Sequence, residues 1–96
     1  MNIIDIELNI KTLPVYLLDF YADYCGPCKA LSPILDDICS ENNIFISKIN
    51  TESQPDIAAH FKIIALPTLI LFRNGIEVKQ MVGLKSKKAI LEWLKD

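Results

Sequence analysis

Residues 15–29 read Val15-Tyr-Leu-Leu-Asp-Phe-Tyr-Ala-Asp-Tyr-Cys25-Gly-Pro-Cys28-Lys29. An almost wholly apolar run, typical of a strand covered on both faces, leads into two cysteines separated by two residues. The pattern that follows predicts a helix, so the spacing i, i+3 brings both sulfurs to one side of its first turn. A helix N-terminus favours thiolate over thiol through its free N–H groups and positive dipole. The stretch therefore predicts a redox dithiol, in which one sulfur attacks a disulfide and the other resolves the mixed disulfide.

Two other uses of Cys25 and Cys28 fit the sequence less well. A closed zinc site needs four ligands, and only Cys39 and His60 remain as candidates, without ligand-like spacing. We therefore expect no bound metal. A structural disulfide at this spacing closes too short a loop to constrain the unfolded chain much.

The composition of the chain describes a small globular protein. Of its 96 residues, 51% are apolar and 23% charged, which predicts one domain, residues 1–96. A net charge of -2 and the absence of a dense Lys/Arg patch argue against nucleic-acid binding. No segment has the length of a membrane span, and the N-terminus lacks the pattern of a signal peptide. We expect a cytoplasmic protein without membrane contact, in a compartment that keeps thiols reduced.

Hydrophobic periodicity divides the chain into alternating strands and helices. Residues 3–8 alternate weakly, which predicts a short first strand, followed by at most a turn or a stub of helix. Further strands are predicted at residues 15–21, 44–50, 68–72 and 76–82, and helices at residues 27–41, from Pro55 and from a cap at Ser86. Pro33 should kink the long helix, and Asn74-Gly75 is a hairpin turn. A βαβ unit requires a parallel pair and a hairpin an antiparallel one. The fold class is therefore α/β, with a mixed sheet of about five strands and helices on both faces.

Several motifs in this order resemble those of the thioredoxin family. They are residues 19–29 around the cysteines, Pro33, Leu66-Pro67-Thr68, Phe72-Arg-Asn-Gly75 and Val82-Gly83. The resemblance covers residues 2–96 and implies a monomeric thioredoxin fold. It also implies a protein-disulfide reductase that carries electrons for cell redox homeostasis through a redox-active Cys25–Cys28 disulfide. No cofactor-binding motif is present, so electrons should come from thioredoxin reductase, in this family a separate NADPH-dependent flavoprotein, and pass to disulfide-containing target proteins.

The two cysteines should have different roles. Cys25, at the exposed end of the helix, is the expected nucleophile, and Cys28, one turn inside, the expected resolving thiol. The neutral spacer residues Gly26 and Pro27 add no positive charge that would stabilise the thiolate further, which favours a reductant over an oxidant.

Asp19 is the third candidate for the catalytic site. A carboxylate within an apolar strand is costly unless it is paired, and burial raises its pKa. The plain alternative is an Asp at a strand end that faces water. The resemblance implies instead a buried proton acceptor for the Cys28 thiol, with Lys48 close enough to modulate it.

The resemblance also implies a surface for substrate proteins. Pro67 should be cis and face the dithiol, and the backbone of Leu66 should pair with an extended substrate segment. The expected apolar surface consists of Tyr24, Gly26, Pro27, Ala65, Leu66, Pro67, Val82 and Gly83. For Ala65 and Val82, simple loop packing is a serious alternative.

The chain departs from the family pattern in a few places. Tyr21 and Tyr24 stand where most members carry tryptophan, which affects partner preference and not the chemistry. The stretch before Val15 is short, so the first helix of the family should be reduced or absent. Cys39 has no assigned role beyond that of a small, partly buried side chain, with regulatory oxidation as a minor alternative.

Two other functions remain to be separated from a reductase. A thiol oxidase or isomerase is disfavoured by Gly26-Pro27, and a non-catalytic binding subunit would use the same apolar surface to hold a partner. A Cys25→Ser, Cys28→Ser variant distinguishes them, because a binding subunit would keep its function. The sequence identifies neither the target proteins nor the cognate reductase.

Overall fold

The computed structural model describes residues 1–95, and Asp96, the last residue of the predicted domain, lies outside the described residues. The elements follow in the order α1 (Ile3–Thr12), β1 (Val15–Tyr21), α2 (Gly26–Asn42), β2 (Phe45–Asn50), α3 (Pro55–His60), β3 (Thr68–Arg73), β4 (Ile76–Val82) and α4 (Lys87–Lys95). From β1 onward these bounds agree with the predicted ones to within one or two residues. Within residues 1–95, no helix combines the length and the apolar character needed to cross a membrane.

The N-terminal segment is helix α1, and the predicted first strand is wrong. The Asn2 side chain caps this helix by accepting a hydrogen bond from the Asp5 amide. An alternating strand would place Ile4, Ile6 and Leu8 on one face. In a helix Ile6 points away from Ile4 and Leu8, and of the three only Ile6 is buried. The first helix is therefore present and not absent, because α1 occupies ten residues.

The sheet is mixed, as predicted, but it has four strands and not about five. Their order is β2-β1-β3-β4, with β1 and β2 parallel and the other two pairs antiparallel. The missing strand is the segment that forms α1. Strands β3 and β4 are joined by a tight turn at Asn74 and Gly75, both of which have positive φ, as a two-residue hairpin turn of this kind requires.

Helices cover both faces of the sheet, which confirms the predicted α/β architecture. Successive side chains of a strand point to opposite faces, so β1 contributes Leu17 to one core and Leu18 and Phe20 to the other. The first core lies against α2 and α4, and the second lies against α1 and α3. The helix residues buried in these cores include Leu31, Leu35, Ile90 and Leu94 in the first and Ile6 and Ile57 in the second.

Strand register decides which chain segments meet. Phe20 pairs with Thr68, and Thr68 pairs with Val82. The carboxyl end of β1, the amino end of β3 and the carboxyl end of β4 therefore lie side by side. We call this end of the sheet the cysteine end, because β1 leads from it directly into Cys25 and Cys28.

Candidate active site

Cys25 and Cys28 form a disulfide, with their Cα atoms 5.3 Å apart. Cys25 is the N-cap of helix α2, and its Sγ accepts a hydrogen bond from the Cys28 amide at 3.2 Å. Cys28 is only 4% exposed, whereas Cys25 is half-buried. A group approaching from solvent therefore reaches the Cys25 sulfur first, as the sequence predicted.

The spacer residues suit the first turn of a helix. Proline is well tolerated there, because the missing N–H would have no partner within the helix and the fixed φ is already helical. Gly26 and Pro27 are both exposed, and a Cβ built on Gly26 would meet no atom within 4 Å. The first turn of α2 contains no acidic residue that would oppose a thiolate at Cys25. The backbone N–H groups and Lys29, which is also in this turn, therefore act on Cys25 without an opposing carboxylate in the turn.

Asp19 is buried beneath the disulfide. It shares the face of β1 that packs against α2, and the residue is only 2% exposed. Together with Cys28 it lines a cavity of about 210 Å³. The carboxylate Oδ1 has no hydrogen-bond partner. The alternative of an Asp that faces water therefore does not describe this residue.

Burial changes the acidity of this carboxyl. It raises the pKa of Asp19 from 3.8 to about 6, with Lys48 acting to lower the pKa and Asp36 to raise it. A carboxyl with such a pKa is ionised at neutral pH and yet basic enough to accept a proton from a neighbouring acid. Cys28 lines the same cavity as this carboxyl, which makes its thiol a candidate proton donor once the disulfide is reduced.

Lys48 stands opposite Asp19 in the register of β1 and β2, but its ammonium is engaged elsewhere. Its Nζ donates to Ser32 Oγ at 2.7 Å and to Asp36 Oδ1 at 2.6 Å. Sequence analysis missed both partners. A signal was present, because Cys28, Ser32 and Asp36 recur every four residues and so lie on one face of α2.

A second hollow, of about 200 Å³, brings together three predicted substrate-binding residues, Tyr24, Ala65 and Leu66. The remaining lining residues are Thr51, Ala58, Ile63 and Ile64, so none of the lining side chains carries a charge. Tyr24 is 75% and Ile64 98% exposed. Sequence analysis did not single out Ile64, although an apolar residue just before a proline loop was a usable signal.

The other predicted substrate-binding residues form one connected loop region. The Leu66–Pro67 peptide is cis, as the resemblance implied. The Gly83 amide donates to the Pro67 carbonyl at 2.9 Å, and Gly83 has a φ of 94°, which favours glycine. Val82 is half exposed beside it. The structure thus joins the proline loop to the end of β4 at the cysteine end of the sheet.

The sequence and the fold were compared with those of known proteins. The sequence matches the family model for thioredoxin over residues 7–96. The chain belongs to the thioredoxin family. It is 40% identical over 90 residues to a thioredoxin from Rickettsia felis, an alignment that covers 92% of this chain and 85% of the relative. The oxidised form of mitochondrial thioredoxin 3 from Saccharomyces cerevisiae superposes with a TM-score of 0.90 at 29% identity, covering 99% of this chain and 90% of that one.

Another thioredoxin-family relative is a much longer protein. The bifunctional thioredoxin reductase/thioredoxin from Mycobacterium leprae is 43% identical over 82 residues. These residues are 83% of this chain but only 18% of that protein. The similarity therefore concerns a part of the relative about as long as a thioredoxin.

Membership of the thioredoxin family and the paired cysteines together define the chemistry. The protein is a thiol–disulfide oxidoreductase with a reductase function, and its redox-active group is a cysteine pair at disulfide distance. Within residues 1–95, no group of three or more His, Cys, Asp or Glu side chains is placed to hold a metal ion.

The third cysteine differs from this pair. Cys39 is unpaired and buried on α2. Burial, with a smaller contribution from the Asp36 charge, raises the pKa of the Cys39 thiol from 9.0 to about 11. Because the thiolate is the reactive form, this thiol is inert at neutral pH.

Proposed function

We propose that this protein reduces disulfides in target proteins by a two-step exchange at Cys25-Gly26-Pro27-Cys28. The observation that carries the proposal is the position of the pair. One sulfur lies at the open end of α2, and the other is buried and lines a cavity that it shares with a buried carboxyl. The two sulfurs are therefore in different surroundings, as a nucleophile and a resolving thiol need to be.

In the first step Cys25 is the nucleophile. The hydrogen bond from the Cys28 amide and the positive end of α2 support a thiolate on Cys25. This thiolate attacks one sulfur of a target disulfide. A new intermolecular S–S bond forms, the target S–S bond breaks, and one target sulfur leaves as a thiolate.

In the second step Asp19 accepts the proton of the Cys28 thiol. The Cys28 thiolate then attacks the Cys25 sulfur, which breaks the intermolecular bond and forms the Cys25–Cys28 disulfide. Two electrons have passed from the protein to its target, which leaves with both of its sulfurs reduced. Lys48 modulates the carboxyl through its positive charge.

The target is held along the proline loop. An extended target segment pairs with the backbone of Leu66, and its side chains lie on the uncharged surface of Tyr24, Ala65, Leu66, Pro67, Val82 and Gly83. Because main-chain hydrogen bonds supply much of this recognition, proteins with different sequences around the disulfide can be substrates.

Electrons return to the pair from a separate NADPH-dependent flavoprotein, thioredoxin reductase. The Mycobacterium leprae relative is a bifunctional thioredoxin reductase/thioredoxin, which supports this pairing. We further propose that residues 1–96 form one domain, which acts as a monomer in the cytoplasm. A reducing compartment is the one in which a reductant of this kind can turn over.

Insulin reduction tests the proposal, first with dithiothreitol and then with thioredoxin reductase and NADPH as the electron source. We expect wild-type protein to be active with both. Cys25→Ser should be inactive, and Cys28→Ser should accumulate a mixed disulfide with the target, visible by mass spectrometry. A doubly substituted Cys25→Ser, Cys28→Ser protein that kept full cellular function would indicate a binding subunit instead.

The role of Asp19 is tested separately with Asp19→Asn, which removes the proton acceptor and keeps the shape of the side chain. Turnover at neutral pH should fall by about two orders of magnitude, the lower end of what a general base contributes. Single-turnover measurements should assign the loss to resolution of the mixed disulfide and not to its formation. Wild-type rates in this variant would remove Asp19 from the mechanism.

A further inference from the structure

The ammonium of Lys48 has two possible carboxylate partners and contacts only one of them. Strand register places Lys48 directly opposite Asp19, the arrangement in which opposite charges on neighbouring strands normally pair. Its Nζ instead lies 2.6 Å from Asp36 Oδ1 and 2.7 Å from Ser32 Oγ, both on α2. Within the described part of the chain, it forms no ion pair with Asp19 within 4 Å.

The consequence is visible at the buried carboxyl. Asp19 Oδ1 has no hydrogen-bond partner, although a lysine lines the same cavity. We propose that Ser32 and Asp36 are positioning residues that hold the Lys48 ammonium away from Asp19, so that this carboxyl keeps the basicity that a proton acceptor for Cys28 needs. The inference rests on the proposed role of Asp19 in the second step of the reaction.

The physical reason is the distance dependence of charge interactions. An ammonium hydrogen-bonded to a buried carboxylate holds it ionised and lowers its pKa by about 1 to 3 units. A carboxylate held in this way is a poor base toward a thiol. The two hydrogen bonds to α2 turn the ammonium toward a partly exposed aspartate, where solvent screens its charge.

Other polar groups that face this cavity are alternative causes of the position of the Lys48 ammonium. They are Tyr21 on β1, Asp23 in the following loop, and Cys28 and Lys29 on α2. Among the hydrogen bonds and ion pairs of residues 1–95, none joins any of these four side chains to Asp19 or to Lys48. Lys48 and its two partners are therefore the arrangement to test.

The test is a titration of Asp19 by the 13C chemical shift of its carboxyl carbon in the oxidised protein, in which neither Cys25 nor Cys28 can titrate. Asp36→Asn should lower the Asp19 pKa by about 1 unit, because the released ammonium turns toward Asp19. Combining it with Ser32→Ala should lower the pKa further. Asp37→Asn is the matched control, because it removes the same charge from the next position of α2, whose side chain makes no contact with Lys48.

Asp36 could also act on Asp19 directly through its own negative charge, and Lys48→Met separates the two explanations. If Asp36 acts by holding the ammonium, Asp36→Asn should change the Asp19 pKa much less in the Lys48→Met protein than in the wild type. An equal change in both backgrounds overturns the proposal, and so does no change in either.

Turnover supplies the second readout. Asp36→Asn should slow resolution of the mixed disulfide several-fold at pH 7 and leave KM for the target unchanged. The role of Asp19 in the reaction and the positioning role of Asp36 can be contradicted independently of each other. Normal turnover in Asp19→Asn contradicts the role of Asp19 in the reaction, whereas unchanged titration in Asp36→Asn contradicts the positioning role of Asp36.

Discussion

Lys48 lies directly opposite Asp19 on neighbouring parallel strands, and its ammonium nevertheless pairs with Asp36 on helix α2. The buried carboxyl is left with an oxygen that has no hydrogen-bond partner. Such a group destabilises the folded protein whenever it is ionised. A basic carboxyl beside Cys28 therefore comes at the expense of conformational stability.

This trade-off predicts that Asp19→Asn is more stable than the wild type at neutral pH. The pKa of Asp19 is raised from 3.8 in an unperturbed chain to about 6 in the folded protein. Ionising the buried carboxyl therefore lowers the free energy of unfolding of the wild type. The wild type has its full stability below pH 3.8 and loses part of it as the pH rises through 6. At ~1.4 kcal/mol for each pKa unit, the variant should gain about 3 kcal/mol at pH 7.

Urea unfolding at pH 7 and at pH 4 measures this gain. The difference between variant and wild type should be large at pH 7 and small at pH 4, where the wild-type carboxyl is mostly protonated. Asp37→Asn, at an exposed position of α2, is the control and should show no such dependence on pH. Equal stabilities of Asp19→Asn and wild type at pH 7 would mean that the carboxyl is not destabilising.

Replacing Pro27 by histidine should make the cysteine pair more oxidising. A protonated imidazole in the first turn of α2 stabilises the Cys25 thiolate and hence the reduced form of the pair. Each tenfold stabilisation of the reduced form raises the reduction potential by about 30 mV, so an increase of tens of mV is expected. A glutathione redox titration measures it. Pro27→Ala adds no charge and serves as control; if it changed the potential as much as Pro27→His, charge would not be the cause.

Cys39 should resist alkylation in the folded, reduced protein. With a pKa of about 11, only about one thiol in ten thousand is ionised at pH 7, and the side chain is buried. Mass spectrometry after brief treatment with iodoacetamide should show modification of Cys25 and none of Cys39. In denaturant all three cysteines should react. Rapid labelling of Cys39 under native conditions contradicts its burial.

Tyr24→Ala should weaken binding of protein substrates. The ring is 75% exposed and lines the uncharged hollow beside the proline loop. Removing an exposed aromatic side chain from a contact surface should raise KM for insulin several-fold and change kcat little. Phe45→Ala is the matched control, because this exposed ring lies at the amino end of β2, opposite the cysteine end of the sheet. Equal effects of the two substitutions would exclude a specific role for Tyr24.

The sequence predicted most of the strands and helices because their patterns are strong and local. The apolar run of β1 and the Asn74-Gly75 turn each have one dominant interpretation. The prediction for the N-terminus was wrong because the pattern there is ambiguous. Ile4, Ile6 and Leu8 fit both a strand and a helix, and only packing against the sheet, which buries the middle residue, distinguishes them. The predicted count of about five strands followed from that one error.

In the candidate site too, relationships between residues close in sequence could be predicted, and those between distant residues could not be predicted from local patterns. Cys25 and Cys28 are three residues apart, so their proximity is a local property that spacing alone predicts. Tyr24 and Ala65 are far apart in sequence, and only their family resemblance connected them before the structure placed both in one hollow. The hollow also includes Ile64, whose place just before the proline loop was a local signal that the prediction did not use.

By itself the sequence determined the cysteine pair, the helix that begins there and the apolar strand that leads into it, since each depends on neighbours within a few residues. Tertiary structure alone decided the surroundings of Asp19. Its burial depends on α2 packing over the sheet, and the position of the Lys48 ammonium depends on contacts between β2 and that helix. Charge interactions follow distances in space, and distances between separate elements are fixed only once those elements pack together.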